Sequence, residues 1–128
     1  MYKTFLPISL TKEQLAQLDA LEELYHYWNE QINLISRRDI HFVRDHHILH
    51  SLCLSHVLRF ASGTKILDVG TGGGLPGIPL AIAFPDCHFT LVDSIGKKIM
   101  VTEKITAALS LKNVTSIQER AENEDRKS

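Results

Sequence analysis

The sequence predicts an α/β fold built on a doubly wound parallel sheet, with helices placed before it. Three observations carry that prediction. From Lys65 onward, strand-like and helix-like patterns alternate as strand, helix, strand, helix, strand, an order that implies parallel pairing through crossover helices. The stretch Lys65-Ile66-Leu67-Asp68-Val69-Gly70-Thr71-Gly72-Gly73-Gly74-Leu75-Pro76-Gly77-Ile78-Pro79 joins the first strand to the first of those helices and holds five of the chain's seven glycines. Upstream, a capping box opens a long amphipathic pattern.

That upstream pattern begins at Thr11-Lys12-Glu13-Gln14, where the Thr11 hydroxyl and the Gln14 side chain are placed to satisfy each other's amides. Leu15, Leu18, Leu21, Leu24, Tyr25 and Trp28 follow at three- and four-residue spacing, one apolar stripe of a core-packed helix. Asn29, Asn33 and Ser36 then predict a turn. Arg37 and Arg38, with Arg44 nearby, form the densest basic cluster of the first half, suited either to phosphates or to a solvated helix end. A second helix, continuous or broken, is expected over 39–60, with Ile40, Val43, Ile48, Leu49, Leu52, Leu54, Val57 and Leu58 as core candidates. His46 and His50 lie four apart in it, a spacing able to chelate a metal. No carboxylate–histidine motif accompanies them, so a metal site is not expected.

Ala61 to Thr64 reads as a turn and Lys65 to Val69 as a short buried strand. Leu75 to Phe84 is apolar on nearly all sides and stops at Pro85-Asp86; its prolines, Pro76 and Pro79, fit only in a first helical turn. His88 to Asp93 is a second strand ending in an acid, Ser94 to Leu109 a helix, and Val114 to Gln118 a third strand.

At 128 residues the chain suits one domain, divided into an N-terminal helical segment (1–60) packed on the sheet and a ligand-binding part (61–128). Its formal charge of −1 gives no general attraction to nucleic acid, so any RNA contact must be a local patch. Cys53 and Cys87 lack metal or redox spacing and read as buried thiols of a reducing compartment. No apolar run reaches membrane-spanning length, the N-terminus lacks a signal-peptide core, and the cytoplasm is the expected location.

The glycine cluster marks backbone with unusual dihedrals or close ligand approach. In a doubly wound sheet, ligands bind beyond the C-terminal strand ends, which places both the glycine loop and Asp93 there. Loop amides suit a carboxylate or phosphate, and Asp93 is positioned to accept from ribose hydroxyls. Two ligand classes fit. Gly72-x-Gly74-x-x-Gly77 satisfies the dinucleotide fingerprint of NAD(P)- or flavin-dependent oxidoreductases. Asp68-Val69-Gly70-Thr71-Gly72-Gly73-Gly74 instead resembles the D-x-G-x-G-x-G loop of class I S-adenosylmethionine-dependent methyltransferases. A non-catalytic RNA-binding module using Arg37, Arg38, Lys97 and Lys98 is a third reading.

The resemblance narrows with the continuation Leu75-Pro76-Gly77-Ile78-Pro79-Leu80, then Leu91-Val92-Asp93-Ser94 and Gly96-Lys97-Lys98. With Trp28-Asn29, Asn33-Leu34 and His47-Ile48-Leu49 upstream, these resemble the small-subunit (16S) rRNA methyltransferase G family, also called glucose-inhibited division protein B. That resemblance implies a Rossmann-like fold, S-adenosyl-L-methionine as cofactor, and methyl transfer to N7 of a guanine in 16S rRNA of the small ribosomal subunit.

It also implies site residues. Gly70 and Leu75 contact the cofactor, with Gly72 and Gly74 in the loop against its methionine part; Asp93 holds the ribose; Ala121 and Glu122 line the adenine. Asp68 either touches the cofactor or orders the loop through hydrogen bonds to its amides, and Lys97 and Lys98 either meet rRNA phosphates or form a solvated helical turn. No catalytic base is implied, because N7 is already nucleophilic. His50 departs from an aspartate common in the family. Family members also continue through further strands, so the chain is expected to be truncated to the first three, weakly active or inactive. The strand at 65–69 should then be an unprotected edge prone to self-association.

Overall fold

The computed structural model describes residues 9–56, 58 and 60–120. Helix α1 (Lys12–Gln31) starts at the predicted capping box: Thr11 Oγ1 accepts from the Gln14 amide at 3.0 Å, and Gln14 Oε1 accepts from the Thr11 amide at 2.7 Å. Its stripe buries Leu18, Leu21 and Tyr25 completely. The turn after it is made by Asn29, whose Oδ1 accepts from the amides of both Leu34 and Ile35 at 2.8 Å.

The second helical region is broken into pieces. Helix α2 (Arg37–Ile40) is capped by Ser36, a π-helical turn spans Arg44–Ile48, helix α3 covers Leu49–Cys53, and a 3₁₀ turn covers Leu54–His56. Val43, Ile48 and Leu52 are buried as expected, and Ile40, Leu49 and Leu54 pack at the margin of the core. Leu58 is 41% exposed, contrary to its expected core place, because the helical periodicity that would turn it inward has ended at His56. Val57 lies outside the described residues.

Strands β1 (Lys65–Val69), β2 (His88–Asp93) and β3 (Val114–Gln118) form a parallel sheet in the order β1-β2-β3. Helix α4 (Gly77–Ala83) links the first pair and helix α5 (Gly96–Ala108) the second. The residue before α4 is Pro76, and Pro79 sits in its first turn, where neither missing N–H interrupts the helix. Phe89 and Leu91 are buried in the shared core. Cys87 is buried and Cys53 half-buried, both as free thiols.

The expectation that β1 is buried fails. Leu67 is 52% and Val69 46% exposed. Ile66 packs toward the core, while Leu67 and Val69 point to the opposite face. The register continues that face through Thr90 and Val92 to Thr115 and Ile117. The outer edge of β1 pairs with no strand among the described residues.

Candidate cofactor site

Beyond Val69 the chain reverses over Gly70–Pro76, and backbone geometry explains the glycines. Gly70, Gly72 and Gly74 have φ of +73°, +60° and +102°, a region that residues with a Cβ adopt only at a cost. The loop is fastened to the end of β2: the amides of Gly70 and Thr71 both donate to the Val92 carbonyl, at 2.8 and 3.0 Å.

Two carboxylates complete the fastening. Asp68 Oδ2 accepts from the Thr71 hydroxyl at 2.7 Å and from the Gly77 amide at 3.1 Å, tying the strand end to the loop and to the first turn of α4. Burial pushes the Asp68 carboxyl above its usual range, the Asp93 charge adds to the rise, and the two hydrogen bonds oppose it. Asp93 Oδ2 accepts from the Gly72 amide at 2.8 Å and Oδ1 from the Ile95 amide at 2.9 Å. Each Asp93 oxygen keeps a further lone pair, and the side chain is only partly buried.

The underside of the loop is packed, the upper side open. A Cβ at Gly73 would meet Leu34 at 3.4 Å, one at Gly74 would strike Ile78, and one at Gly77 would strike Leu91 and lie 2.8 Å from Asp68 Oδ2. At Gly70 and Gly72 a Cβ would meet nothing within 4 Å. A ligand approaching Gly70 and Gly72 therefore meets bare backbone with the Asp93 carboxylate beside it. Both features suit an adenosyl ligand that carries ribose hydroxyls.

Sequence reasoning missed the residues that support this loop from below. Tyr25 is wholly buried and donates its hydroxyl to the Gly73 carbonyl at 3.0 Å, and its phenol pKa is driven far above the usual value by burial and by the nearby Asp68. The signal was a tyrosine inside an apolar helical stripe, since a buried phenol needs a polar partner. Leu34 and Thr71 lay inside quoted motifs, but nothing in the sequence pointed to their supporting contacts with Gly73 and Asp68.

The remaining expected residues are scattered. Leu75 ends the loop half-buried. Arg37 and Arg38 are exposed on α2, and Lys97 and Lys98 lie in the first turn of α5, exposed and half-buried. Arg44 is taken up by ion pairs with Glu22 at 2.7 Å and Asp19 at 3.5 Å, so it is no free partner for phosphate. Ala121 and Glu122 lie outside the described residues. Among the described residues no group of three His, Cys, Asp or Glu side chains is placed to hold a metal, and no helix is long and apolar enough to cross a membrane.

The sequence profile described as rRNA small subunit methyltransferase G matches residues 14–128. The chain belongs to that family. It is 56% identical over 115 residues to the ribosomal RNA small subunit methyltransferase G of Bacteroides fragilis, covering 90% of this chain and 56% of the relative. It is 53% identical over 114 residues to that of Cytophaga hutchinsonii, covering 89% and 55%. The chain thus spans little more than half the length of these methyltransferase G relatives.

Among solved structures, coclaurine N-methyltransferase bound to N-methylheliamine and SAH superposes with a TM-score of 0.57 at 19% identity, over 88% of this chain and 38% of that one. The YcgJ protein from Bacillus subtilis gives 0.51 at 24% identity, over 57% and 31%. At such identities these likenesses establish the fold. Membership of the methyltransferase G family favours the D-x-G-x-G-x-G reading of the loop over the dinucleotide fingerprint, and Gly77 serves as the close contact between α4 and β2.

Proposed function

We propose that this chain forms the S-adenosyl-L-methionine-binding part of a methyltransferase acting on N7 of a guanine in 16S rRNA of the small ribosomal subunit, in the cytoplasm. The observation that carries the reading is the open backbone of Gly70 and Gly72 beside the Asp93 carboxylate. Asp93 accepts the ribose hydroxyls through its spare lone pairs, while Gly70, Gly72, Gly74 and Leu75 form the wall for the methionine part. Ala121 and Glu122 are assigned to the adenine, and Asp68 keeps the wall in shape. The bound cofactor supplies an electrophilic methyl group. The guanine N7 lone pair needs no general base, so the protein's contribution is to hold acceptor and donor in line and exclude water. The helical segment 1–60 supports the loop from beneath through Tyr25 and Leu34, and residues 61–128 carry the ligand edge. Arg37, Arg38, Lys97 and Lys98 are assigned to rRNA phosphates.

Isothermal titration of the chain with S-adenosylhomocysteine, and separately with NAD, tests the cofactor assignment. Saturable one-to-one binding of S-adenosylhomocysteine with no heat from NAD is expected. Binding of NAD alone would sink it.

We further propose that the free edge of β1, with Leu67 and Val69 exposed beside it, pairs with a second copy of this chain. Sedimentation velocity is expected to show a concentration-dependent dimer that Leu67→Lys abolishes; a monomer at the highest soluble concentration contradicts this.

A further inference from the structure

One feature lies outside the fastening of the glycine loop. The π-helical turn Arg44–Ile48 holds a helical backbone in a widened form, with the Leu49 amide donating to the Arg44 carbonyl five residues back. Such turns recur at functional sites. Here the turn brings His46 and His47 to one side of a hollow of about 270 Å³, which His50, Ser51 and Leu54 also line. The opposite wall is Leu75 and Pro76, the end of the glycine loop itself. The hollow is below the usual size of a drug-like site and suits one planar group.

Three details give the hollow a chemistry. His47 Nε2 is buried without a hydrogen-bond partner, a state that costs free energy unless an incoming group satisfies it. Ser51 Oγ donates to the His47 carbonyl at 2.6 Å and so keeps its lone pairs for a donor. The Phe42 ring is 51% exposed and stacks on His46, which lines the hollow, with centroids 5.1 Å apart and planes 24° from parallel. Among the described residues, Asp39 lies 3.9 Å from His46 Nδ1. An exposed aromatic–imidazole stack whose imidazole lines a hollow, with one unsatisfied ring nitrogen on a neighbouring lining residue, matches the way single-stranded RNA is bound: unstacked bases lie on aromatic and histidine rings, and their edges are read by hydrogen bonds.

We propose that Phe42 and His46 form a stacking platform for an unpaired purine base of the RNA, with His47 and Ser51 contacting its edge, and that this platform presents the base to the glycine loop across Leu75 and Pro76. The proposal rests on the methyltransferase reading and names positioning residues for its acceptor side. His50 lines the same hollow.

The test uses a short single-stranded RNA carrying 2-aminopurine, whose fluorescence is quenched on stacking, and the same strand with that base removed. Quenching on titration with the chain is expected, with at least tenfold weaker binding for Phe42→Ala and recovery in Phe42→Tyr. Base–aromatic stacking has this magnitude. The abasic strand should bind weakly and be indifferent to both substitutions. Phe42 is exposed, so melting curves of the variants should overlay the wild type. His47→Gln, which keeps a polar end but alters its reach, should weaken the purine strand and spare the abasic one. Equal affinity of wild type and Phe42→Ala, or of purine and abasic strands, overturns the proposal. S-adenosylhomocysteine titrated into the same variants separates the two claims. Unchanged binding there with no Phe42 effect on RNA defeats the platform alone. Failure of the wild type to bind it defeats the cofactor reading, while the RNA comparison still decides the platform.

Discussion

At one end of the sheet, side-chain amides donate to backbone carbonyls; at the other, side-chain carboxylates accept from backbone amides. Before β3, Asn113 Nδ2 fans over the carbonyls of Ala81, Phe84 and Cys87 at 3.0, 3.3 and 3.0 Å. Gln14 Nε2 donates to Ile82 at 2.9 Å, and Gln17 Nε2 to Leu109 at 3.1 Å. These neutral groups tie down chain ends that would otherwise leave carbonyls unpaired. A hollow of about 490 Å³ lies there, lined in part by Gln14, Gln17 and Asn113. Beyond the C-terminal strand ends, Asp68 and Asp93 receive loop amides instead. The difference teaches that cavity size is a poor guide to function in this molecule. The roomier end spends its polar groups on holding the fold together, whereas the glycine end keeps carboxylate lone pairs and bare backbone available.

Substitutions at the two ends should therefore separate stability from binding. The largest effect on stability is expected at the closing end. Asn113→Ala removes the side-chain donor from the carbonyls of Ala81, Phe84 and Cys87, of which Phe84 keeps the Cys87 amide at 3.1 Å, and should cost about 2–3 kcal/mol in urea unfolding. S-adenosylhomocysteine affinity of the folded fraction should stay within twofold of wild type. A stability loss below about 0.5 kcal/mol would show that these carbonyls find water instead.

Tyr25→Phe joins the two regions, because it removes a hydrogen bond made from the core to the loop. It should cost about 1–2 kcal/mol, the penalty for leaving the buried Gly73 carbonyl unpaired, and also weaken ligand binding as the loop loosens. Loss of stability without loss of affinity would confine Tyr25 to the core.

The smallest effect is expected at Asp68 and depends on pH. Its folded-state pKa is raised, mainly by burial. Ionising it therefore disfavours the folded state, and its contribution to stability is fully present below about pH 4, the unfolded value, and is lost as pH rises through the folded one. Asp68→Asn keeps an acceptor for Thr71 and Gly77 but does not titrate. The melting temperature of wild type minus that of Asp68→Asn should fall as pH rises from below about 4 toward neutrality. A difference that grows with pH contradicts the assigned shift.

Much of the frame was legible because local rules agreed with the global fold. Thr11 and Gln14 opened α1, and His88–Asp93 and Val114–Gln118 became strands as the apolar and β-branched runs indicate. The positions of Asp93 at the end of β2 and of the glycines in the loop after β1 were legible, because a strand followed by clustered glycines and a helix has few backbone solutions. The closing role of Asn113 was not, since its three acceptors come from distant segments. The Tyr25 hydroxyl bond spans 48 residues and leaves no local pattern. The π-turn was hidden because apolar spacing does not separate it from a broken α-helix. The exposure of Leu67 and Val69 was only half legible: an apolar run announces two covered faces, and which of them is covered depends on neighbours outside the run.

The central claim is that Asp93 leaves its lone pairs to a ribose while the closing end of the sheet serves the fold alone. Calorimetric titration of Asp93→Asn with S-adenosylhomocysteine tests it most directly. With one oxygen instead of two, and the Gly72 and Ile95 amides competing for it, binding should weaken at least tenfold, the scale of a lost hydrogen bond to a charged group, while the melting temperature falls only by the few degrees that one lost loop hydrogen bond costs. Wild-type affinity in Asp93→Asn would contradict the account.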